Sequence, residues 1–463
     1  MSLSMEEDAL ISALIEKLKS HQAANERREE YFEGENRLKD LRISIPPQLT
    51  SVKSVVGWPS TAVSVLEERL DLEGFIVNGD DMGLSDIFRA NDMDSECSLA
   101  HLDALIYGIG FVVVGKGAAG EADPLITVES PKRMTAFHDL RLRRVTSAVS
   151  VNFDNRGDVK SGSLYLPDAT IKFEKSGFGG WLEVDRDSHM MGRVPVARLV
   201  NQPRSGDTAG RSEISEAVMS YTDSAMRTLL GAEVAREFYS APQRYVLGAE
   251  ESIFMDADGN PLNPWSVIQG RVLALPQNED GSMPSVGQFS ANSTQPYFEQ
   301  VRALAQMLAA ETAIPASYLG FQTDNPASAD AIRQMEARLV KRAERRQRQF
   351  GRTWTEVARL ALLVRDGVIP ASAETIRPVW RDASTPTRAA AADEAVKLIA
   401  SGVLLPDSEI TYNRIGLSDS DKETLKLEKR KANAQALIGN LATAAQAAQN
   451  NTAVVDSINV NPN

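Results

Sequence analysis

The chain has 463 residues, is 43% hydrophobic and carries a formal net charge of −13, so it is long and apolar enough to build several packed units. We expect neither a membrane span nor a signal peptide, because no apolar run approaches ~18 residues and the amphipathic start is acidic. The single cysteine, Cys97, excludes an internal disulfide and suits a reducing compartment. The acidic excess argues against a broad phosphate-binding surface, since such binding depends on Lys and Arg.

The first two hundred residues predict helices followed by short strands. Apolar residues recur at helical spacing between residues 5 and 32, a second helix covers 52–70 with an interruption at the string GWP, and a third covers 94–107. From about 110 to 200, the strings FVVV, LITV, AVSVNF, SLYL, TIKF and WLEV are separated by Gly, Asp, Asn and Pro. We therefore predict a β-rich insert in this part of the chain.

The next part predicts two amphipathic helices separated by a turn-rich stretch. The helix from about 212 to 239 has apolar positions at spacings of three and four. A second helix with the same pattern starts near Tyr297, and Pro315 ends it. Between them, residues 241–294 contain many turn residues and the strand-like strings YVLG and RVLALP.

The longest predicted helix begins near Ala327, with Ser328 or a neighbouring residue as its cap, and runs to about Arg365. At ~1.5 Å per residue it spans roughly 55–60 Å, and Gly351 is its predicted bend. Residues 385–448 form a smaller all-helical module, and we expect the polar end, 449–463, to be unstructured.

One string resembles a nucleotide-binding motif. The residues from Gly115 to Gly120 form a GxGxxG pattern directly after an apolar strand. A dinucleotide site needs a helix to begin at that point, so that its N-terminus meets the pyrophosphate. Pro124 and the strand-like LITV follow instead, so we interpret the string as a hairpin turn and keep a nucleotide-dependent oxidoreductase only as a remote alternative.

Two patterns resemble metal sites. The string DADGN at 256–260 starts like a calcium loop, but Pro and Val stand where the loop needs Gly and Glu. Cys97 and His101 share a predicted helix at a spacing of four, but no second Cys/His pair exists, so we interpret them as structural residues. The chain also lacks a phosphate loop, GxSxG and HExxH. We therefore predict no catalytic, cofactor-binding or metal-binding residues and no enzymatic activity.

A run of basic residues lies on the longest predicted helix. Its main members are Arg338, Lys341, Arg342, Arg345 and Arg346. Their excess contrasts with the negative charge of the whole chain. Two interpretations stay open: a face that is solvated or pairs with acidic residues of a neighbouring subunit, and direct contact with DNA phosphates.

Several strings in this order of elements resemble the portal proteins of tailed double-stranded DNA bacteriophages, of the long-tailed-phage type. YFEGENRL resembles the N-terminal segment of the family, ALIYGIGFVVVG the helix-to-strand entry of the wing, and RVPVARLVNQPRSGDTAGRSEIS the segment before the first stem helix. The most specific string is AAETAIPASYLGFQTDNPASADAIRQMEARL, which resembles the junction of stem, tunnel loop and wing helix. The resemblance covers about residues 28–365.

The resemblance implies an α+β, mostly helical portal fold with a wing, a two-helix stem, a clip, a tunnel loop, a long wing helix and a helical crown, assembled as a ring oligomer. The expected boundaries are an N-terminal wing with the β-rich insert at 1–211, a first stem helix at 212–240, a clip at 241–294, a second stem helix at 295–314, a tunnel loop at 315–329, a long wing helix and return at 330–384, a crown at 385–448 and a flexible tail at 449–463.

The resemblance also assigns residues to these parts. The tunnel loop that faces DNA in the channel would contain Tyr318, Gln322, Thr323, Asp324, Asn325 and Ser328. The clip that contacts the terminase or the adaptor would contain Arg244, Glu250, Glu251, Asp256, Asp258 and Asn260. A small, polar loop suits a channel through which DNA slides, because each Lys or Arg contact with a phosphate adds affinity and residence time.

The implied function is a portal subunit in a ring, typically of twelve, at one capsid vertex, for genome packaging, retention and ejection. The implied partners are further copies of the chain, double-stranded DNA, the large terminase, the head–tail adaptor, and the major capsid and scaffolding proteins, with no membrane and no cofactor. The subunit would be made in the bacterial host cytoplasm and act in the virion. Another head–tail connector or a minor capsid protein is the alternative.

Overall fold

The fold is a mixture of helices and antiparallel sheets. The computed structural model describes residues 3–37, 54–77, 81–177, 179–207, 209–239, 244–248, 255, 281–288, 293–321, 328–384, 388–417 and 419–458. Within these ranges no helix is both long enough and apolar enough to cross a membrane. The predicted α+β class is confirmed at this level.

The secondary structure follows the predicted order closely. The helices of the described part are α1 (Met5–Glu33), α2 (Trp58–Glu67), α3 (Leu84–Ala90), α4 (Met93–Tyr107), α5 (Glu216–Tyr239), α6 (Gln295–Thr312), α7 (Ala329–Asp366), α8 (Arg388–Ala400), α9 (Glu409–Ile415) and α10 (Asp419–Ile458). The strands are β1 (Leu72–Ile76), β2 (Ile109–Gly115), β3 (Leu125–Glu129), β4 (Met134–Asp139), β5 (Arg144–Phe153), β6 (Val159–Tyr165), β7 (Thr170–Lys175), β8 (Trp181–Asp187), β9 (Val196–Val200), β10 (Arg244–Leu247), β11 (Ser285–Gln288) and β12 (Arg377–Trp380).

The predicted β-rich insert is confirmed. A five-stranded sheet has the order β4-β5-β6-β7-β8, and a three-stranded sheet has the order β3-β2-β9. All their pairings are antiparallel. Strands β4 and β9 add to the six strand strings recognised in the sequence. Helix α1 covers one face of the five-stranded sheet, where Leu14 and Leu18 share an apolar cluster with Val149, Ile171 and Phe173.

The long helix α7 buries one side in the main apolar core. Phe350 and Trp354 are fully buried on that side. The indole Nε1 of Trp354 donates a hydrogen bond of 2.9 Å to Nε2 of His101, whose ring stacks on Phe350 with 5.4 Å between the centroids. Burial lowers the pKa of His101 to about 3, so the ring is neutral and can accept this bond. His101 and buried Cys97 are therefore core residues of α4, as the sequence predicted. The described residues contain no His/Cys/Asp/Glu group able to hold a metal ion.

Gly351 was predicted as a weak point or bend, and it does not interrupt α7, which is continuous over 38 residues. Close packing against a neighbouring strand explains why a glycine occupies this position. A Cβ at Gly351 would lie 3.0 Å from Cγ of Pro378 and 3.3 Å from Nε1 of Trp380, both in β12. Strand β12 pairs with β1, which lies some three hundred residues earlier in the chain. Gly351 thus lets α7 approach the strand pair that joins distant parts of the chain.

The remaining helices, α8 to α10, form a second compact unit, Ser384–Asn463. This unit agrees with the predicted all-helical module at 385–448. The predicted unstructured tail needs a correction, because α10 continues to Ile458. The string AAQAAQ explains the difference, since Ala and Gln are strong helix formers even in a segment of low complexity.

We expect Gly351→Ala to lower stability, although alanine is the better helix former. Helix propensity favours the change by about 1 kcal/mol, but overpacking against two rigid rings costs about 1–3 kcal/mol. Thermal unfolding followed by circular dichroism should therefore give a lower melting temperature. Gly439→Ala is the control, because a Cβ there meets nothing within 4 Å. Equal stability of Gly351→Ala and the wild type would show that β12 can shift away from the helix.

Candidate functional site

Helices α5 and α6 pack against each other, and each has buried apolar residues. Val218 and Ala225 of α5 are buried, as their spacing predicted. Ile214, which lies just before the helix, is buried as well. On α6, Val301 and Leu308 are buried. The helices approach closely at Gly231, where a Cβ would lie 3.3 Å from the ring of Tyr297. The two predicted helices therefore pack against each other.

A two-stranded ribbon lies in the chain between these helices. Strands β10 and β11 pair antiparallel, from Arg244 opposite Gln288 to Leu247 opposite Ser285. This confirms the strand predicted at YVLG and places the backbone of Arg244 in β10. The other residues predicted for the clip lie outside the described residues: Glu250, Glu251, Asp256, Asp258 and Asn260.

The segment after α6 is anchored to α7. It forms a short 3-10 helix, Ala316–Leu319, whose Leu319 is buried in the main core. The hydroxyl of Tyr318 donates a hydrogen bond to Glu336 of α7. Glu336 also pairs with Arg69 at 3.3 Å, and both side chains are mostly buried. Burial and the neighbouring Glu336 carboxylate raise the pKa of Tyr318, so its hydroxyl keeps the proton that it donates.

Ser328 anchors the other end of the predicted tunnel loop. Its backbone is extended, and its Oγ accepts a hydrogen bond of 3.2 Å from the backbone N–H of Ala331. Ser328 is therefore the N-cap of α7, as predicted, and the helix begins two residues later than Ala327. The predicted loop residues Gln322, Thr323, Asp324 and Asn325 lie outside the described residues, between the two anchored ends.

A buried carboxylate joins the start of α5 to α7. Glu213 precedes α5 by three residues and forms ion pairs with Arg342 and with Arg346, the latter at 2.6 Å. The side chains of Glu213 and Arg346 are each only 3% exposed, and that of Arg342 is 22% exposed. A buried charge requires such compensation, because its desolvation is costly.

Further hydrogen bonds hold Glu213 in place. The side-chain amides of Asn201 and Gln202 each donate to its Oε1 at 3.0 Å, and its backbone N–H donates to the carbonyl of Leu105 at 2.9 Å. Burial raises the pKa of Glu213, but the charges of Arg342 and Arg346 and these hydrogen bonds outweigh that effect. The pKa therefore lies below its ordinary value, and the group is ionised at neutral pH.

The basic run of α7 divides into an inward and an outward part, so its treatment as one stripe was wrong. Arg342 and Arg346 face Glu213 of the same chain, which neither sequence interpretation included. Helical periodicity explains the division, since position 346 shares a face with buried Leu339, Ala343 and Phe350. Exposed basic residues occupy the opposite side: Arg338, Lys341, Arg345, Arg348 and Arg352.

Sequence reasoning missed the partners that organise this region. Glu213 lies inside the string RVPVARLVNQPRSGDTAGRSEIS, but no periodic pattern distinguishes it from an exposed acid. Arg69 and Glu336 are separated by more than 260 residues and have no common motif. The GxGxxG interpretation was right, because β2 and β3 form an antiparallel hairpin around the string and no helix begins there.

Comparison with known proteins identifies the family. The family model described as phage portal protein, SPP1 Gp6-like, matches residues 12–436, so the chain belongs to the phage portal protein family. The portal protein of Mycobacterium phage D29 is 34% identical over 430 residues, covering 89% of this chain and 87% of the relative. The portal protein of Mycobacterium phage L5 is 33% identical over 429 residues, with the same coverage. The family inferred from the sequence is confirmed, and the chain is a structural component of a phage virion.

Solved structures show more distant similarity. A chain in the virion of a native gene transfer agent particle has a TM-score of 0.44 and 14% identity, over 78% of this chain and 90% of that chain. A chain in the neck of the native particle, computed with C12 symmetry, has a TM-score of 0.43 and 15% identity, over 81% and 94%.

We expect Glu213→Gln to destabilise the fold by about 3 kcal/mol, because the change leaves buried Arg346 without a counter-charge. Since the folded pKa of Glu213 is lowered, its contribution is complete above its unfolded pKa of ~4.3 and is lost as the pH falls through the folded pKa. Denaturant unfolding between pH 7 and pH 3 should show the difference shrinking in acid.

The matched control is Glu216→Gln, which removes an exposed ion pair with Arg27. It should cost no more than about 0–1 kcal/mol at any pH. A Glu213→Gln effect that is equally small, or one that does not change with pH, would contradict the assignment of Glu213 as a buried ionised group.

Proposed function

We propose that the chain is one subunit of a ring, of twelve copies by the resemblance noted in the sequence, at one vertex of the capsid. Double-stranded DNA passes through the central channel during packaging and ejection, and the ring retains the genome between these events. Family membership over residues 12–436 supports this proposal. In these terms α5 and α6 form the stem, β10 and β11 belong to the clip, and α8 to α10 belong to the crown.

The observation that carries the proposal is the anchoring of both ends of a polar segment. Leu319 and Tyr318 fix the end that follows the stem pair, and Ser328 fixes the end that begins the long helix. A segment held in this way can be presented at a constant place in every subunit. Residues 322–325 of the proposed tunnel loop include one charged side chain, Asp324, so they can touch DNA without binding phosphates tightly.

The remaining assignments are partners of the ring. The large terminase and later the head–tail adaptor dock on the clip, and the major capsid and scaffolding proteins surround the ring. We assign no catalytic role, so the energy for DNA movement comes from the terminase. Synthesis takes place in the host cytoplasm, and no membrane is involved. The match to the portal family over residues 12–436 favours this function over another head–tail connector or a minor capsid protein.

The purified protein should form closed rings with a central hole in negative-stain electron microscopy. Native mass spectrometry should give a mass near twelve times 50.4 kDa, the mass of one chain. A closed ring with a slightly different number of copies would still support the proposal and would change only the number of subunits. A monomer or dimer at micromolar concentration would contradict the ring itself.

Replacing Asp324 and Asn325 by Ala should leave ring assembly intact and impair DNA packaging or retention. The expected loss has a local cause, because the anchoring residues Tyr318 and Ser328 are unchanged. Packaged DNA is measured as nuclease-resistant genome per particle. Normal amounts of DNA in stable full heads would refute the role of this loop.

A further inference from the structure

The outward side of α7 is a strongly basic surface that the assigned parts do not explain. It consists of Arg338, Lys341, Arg345, Arg348 and Arg352, which we call the basic face. Their spacings of three and four residues place them in one row along the helix. All five are exposed, and the nearby acid is Glu344, which lies 3.6 Å from Lys341 and 4.0 Å from Arg348.

This row carries internal repulsion in the isolated chain. Like charges three or four residues apart on a helix destabilise it. The pKa of Arg342 on the inward side is lowered mainly by burial, and Arg338 of this row is a minor further cause. A chain with a net charge of −13 therefore concentrates cations where its own acids do not balance them.

A matching acidic row lies on α1. Glu26, Glu30 and Glu33 are exposed at spacings of four and three residues, and we call them the acidic face. In the described part of the chain no cation pairs with Glu30 or Glu33, and Glu26 accepts a hydrogen bond only from Gln22. The same pattern of four and three separates Lys341, Arg345 and Arg348, so three opposite charges per helix can meet in register.

We infer that the basic face of one copy binds the acidic face of the next copy. This inference rests on the proposed function, because it describes how the subunits of that ring meet. The two faces are different surfaces of one chain. An interface between different surfaces joins the copies head to tail, and such a series of copies can close into a ring. The shared spacing of four and three also favours one alignment, since a shifted helix would bring fewer of these opposite charges together.

DNA phosphate is the other anion that could occupy the basic face. The structure favours a second copy, because the chain itself presents an acidic row with the same spacing. A row of five cations on DNA would also strengthen phosphate binding in every subunit, which opposes the sliding of the duplex.

Charge reversal tests the inference. The basic-face reversal is Lys341→Glu, Arg345→Glu and Arg348→Glu. The acidic-face reversal is Glu26→Lys, Glu30→Lys and Glu33→Lys. Each reversal alone should lower the apparent assembly constant of the ring by about tenfold or more, because it sets like charges opposite each other. The six-residue variant restores opposite charges and should return assembly to within about threefold of wild type.

Native mass spectrometry and size-exclusion chromatography measure assembly, and circular dichroism verifies that each variant is folded. The controls are Arg156→Glu, in the turn between β5 and β6, and Glu16→Lys, elsewhere on α1. Both reverse exposed charges outside the two faces and should assemble normally. Wild-type assembly should also weaken with salt, because exposed ion pairs are screened.

The outcomes separate the possible occupants. Two reversals that each disrupt the ring, with rescue in the combined variant, support the inference. A basic-face reversal that assembles normally but packages less DNA assigns this face to DNA and overturns it. Disruption by both reversals without rescue overturns the pairing of these two faces. A wild-type chain that forms no ring would instead contradict the proposed function.

Discussion

The shared carboxylate of Glu213 is the interaction on which the arrangement around α5 and α7 depends. It brings together the residues after β9, the start of α5 and the middle of α7 through Asn201, Gln202, Arg342 and Arg346. Apolar surfaces can slide past one another at modest cost, whereas a buried charge that loses its partner costs several kcal/mol. The relative position of the two helices is therefore fixed by electrostatics as well as by packing.

This fixed position extends to the start of α7. Glu336 lies six residues before Arg342, about 9 Å along the helix at ~1.5 Å per residue. Once Glu213 fixes Arg342, Glu336 has a defined place from which it holds Tyr318 and Arg69. The two anchored ends of the proposed tunnel loop thus depend on an ion pair that lies away from the loop. In the proposed assignment, the stem and the tunnel loop are therefore connected through the first part of α7.

Local patterns in the sequence predicted much of the fold. The apolar stripes located α5 and α6, and Ser328 located the beginning of α7, because periodicity and capping depend on neighbouring residues. Pairings between distant residues were not predictable in this way. The partner of β1 lies some three hundred residues away, and the packing of Gly351 depends on that pairing.

The candidate site was harder to predict because a charged residue in the sequence can be either exposed to solvent or buried in an ion pair. Arginine and glutamate are usually exposed, so Arg342, Arg346 and Glu213 gave no sign of burial in the sequence. Only the apolar period of α7 could have indicated that position 346 turns inward, and a basic run conceals that period. Family resemblance pointed to the segments that contain these residues, but it did not say which charged side chains in them are buried.

The division of the basic run also suits the proposed role of an acidic chain as a DNA conduit. Arg342 and Arg346 neutralise an internal carboxylate, and the outward row has a counterpart of matching spacing on α1. In the proposed ring, both parts of the basic run are therefore used in protein–protein contacts, within and between subunits. Cations that are paired with carboxylates no longer release counterions from DNA, so they add little phosphate affinity. The same residues that hold the subunits together would then leave the duplex in contact with a polar loop, along which it can slide.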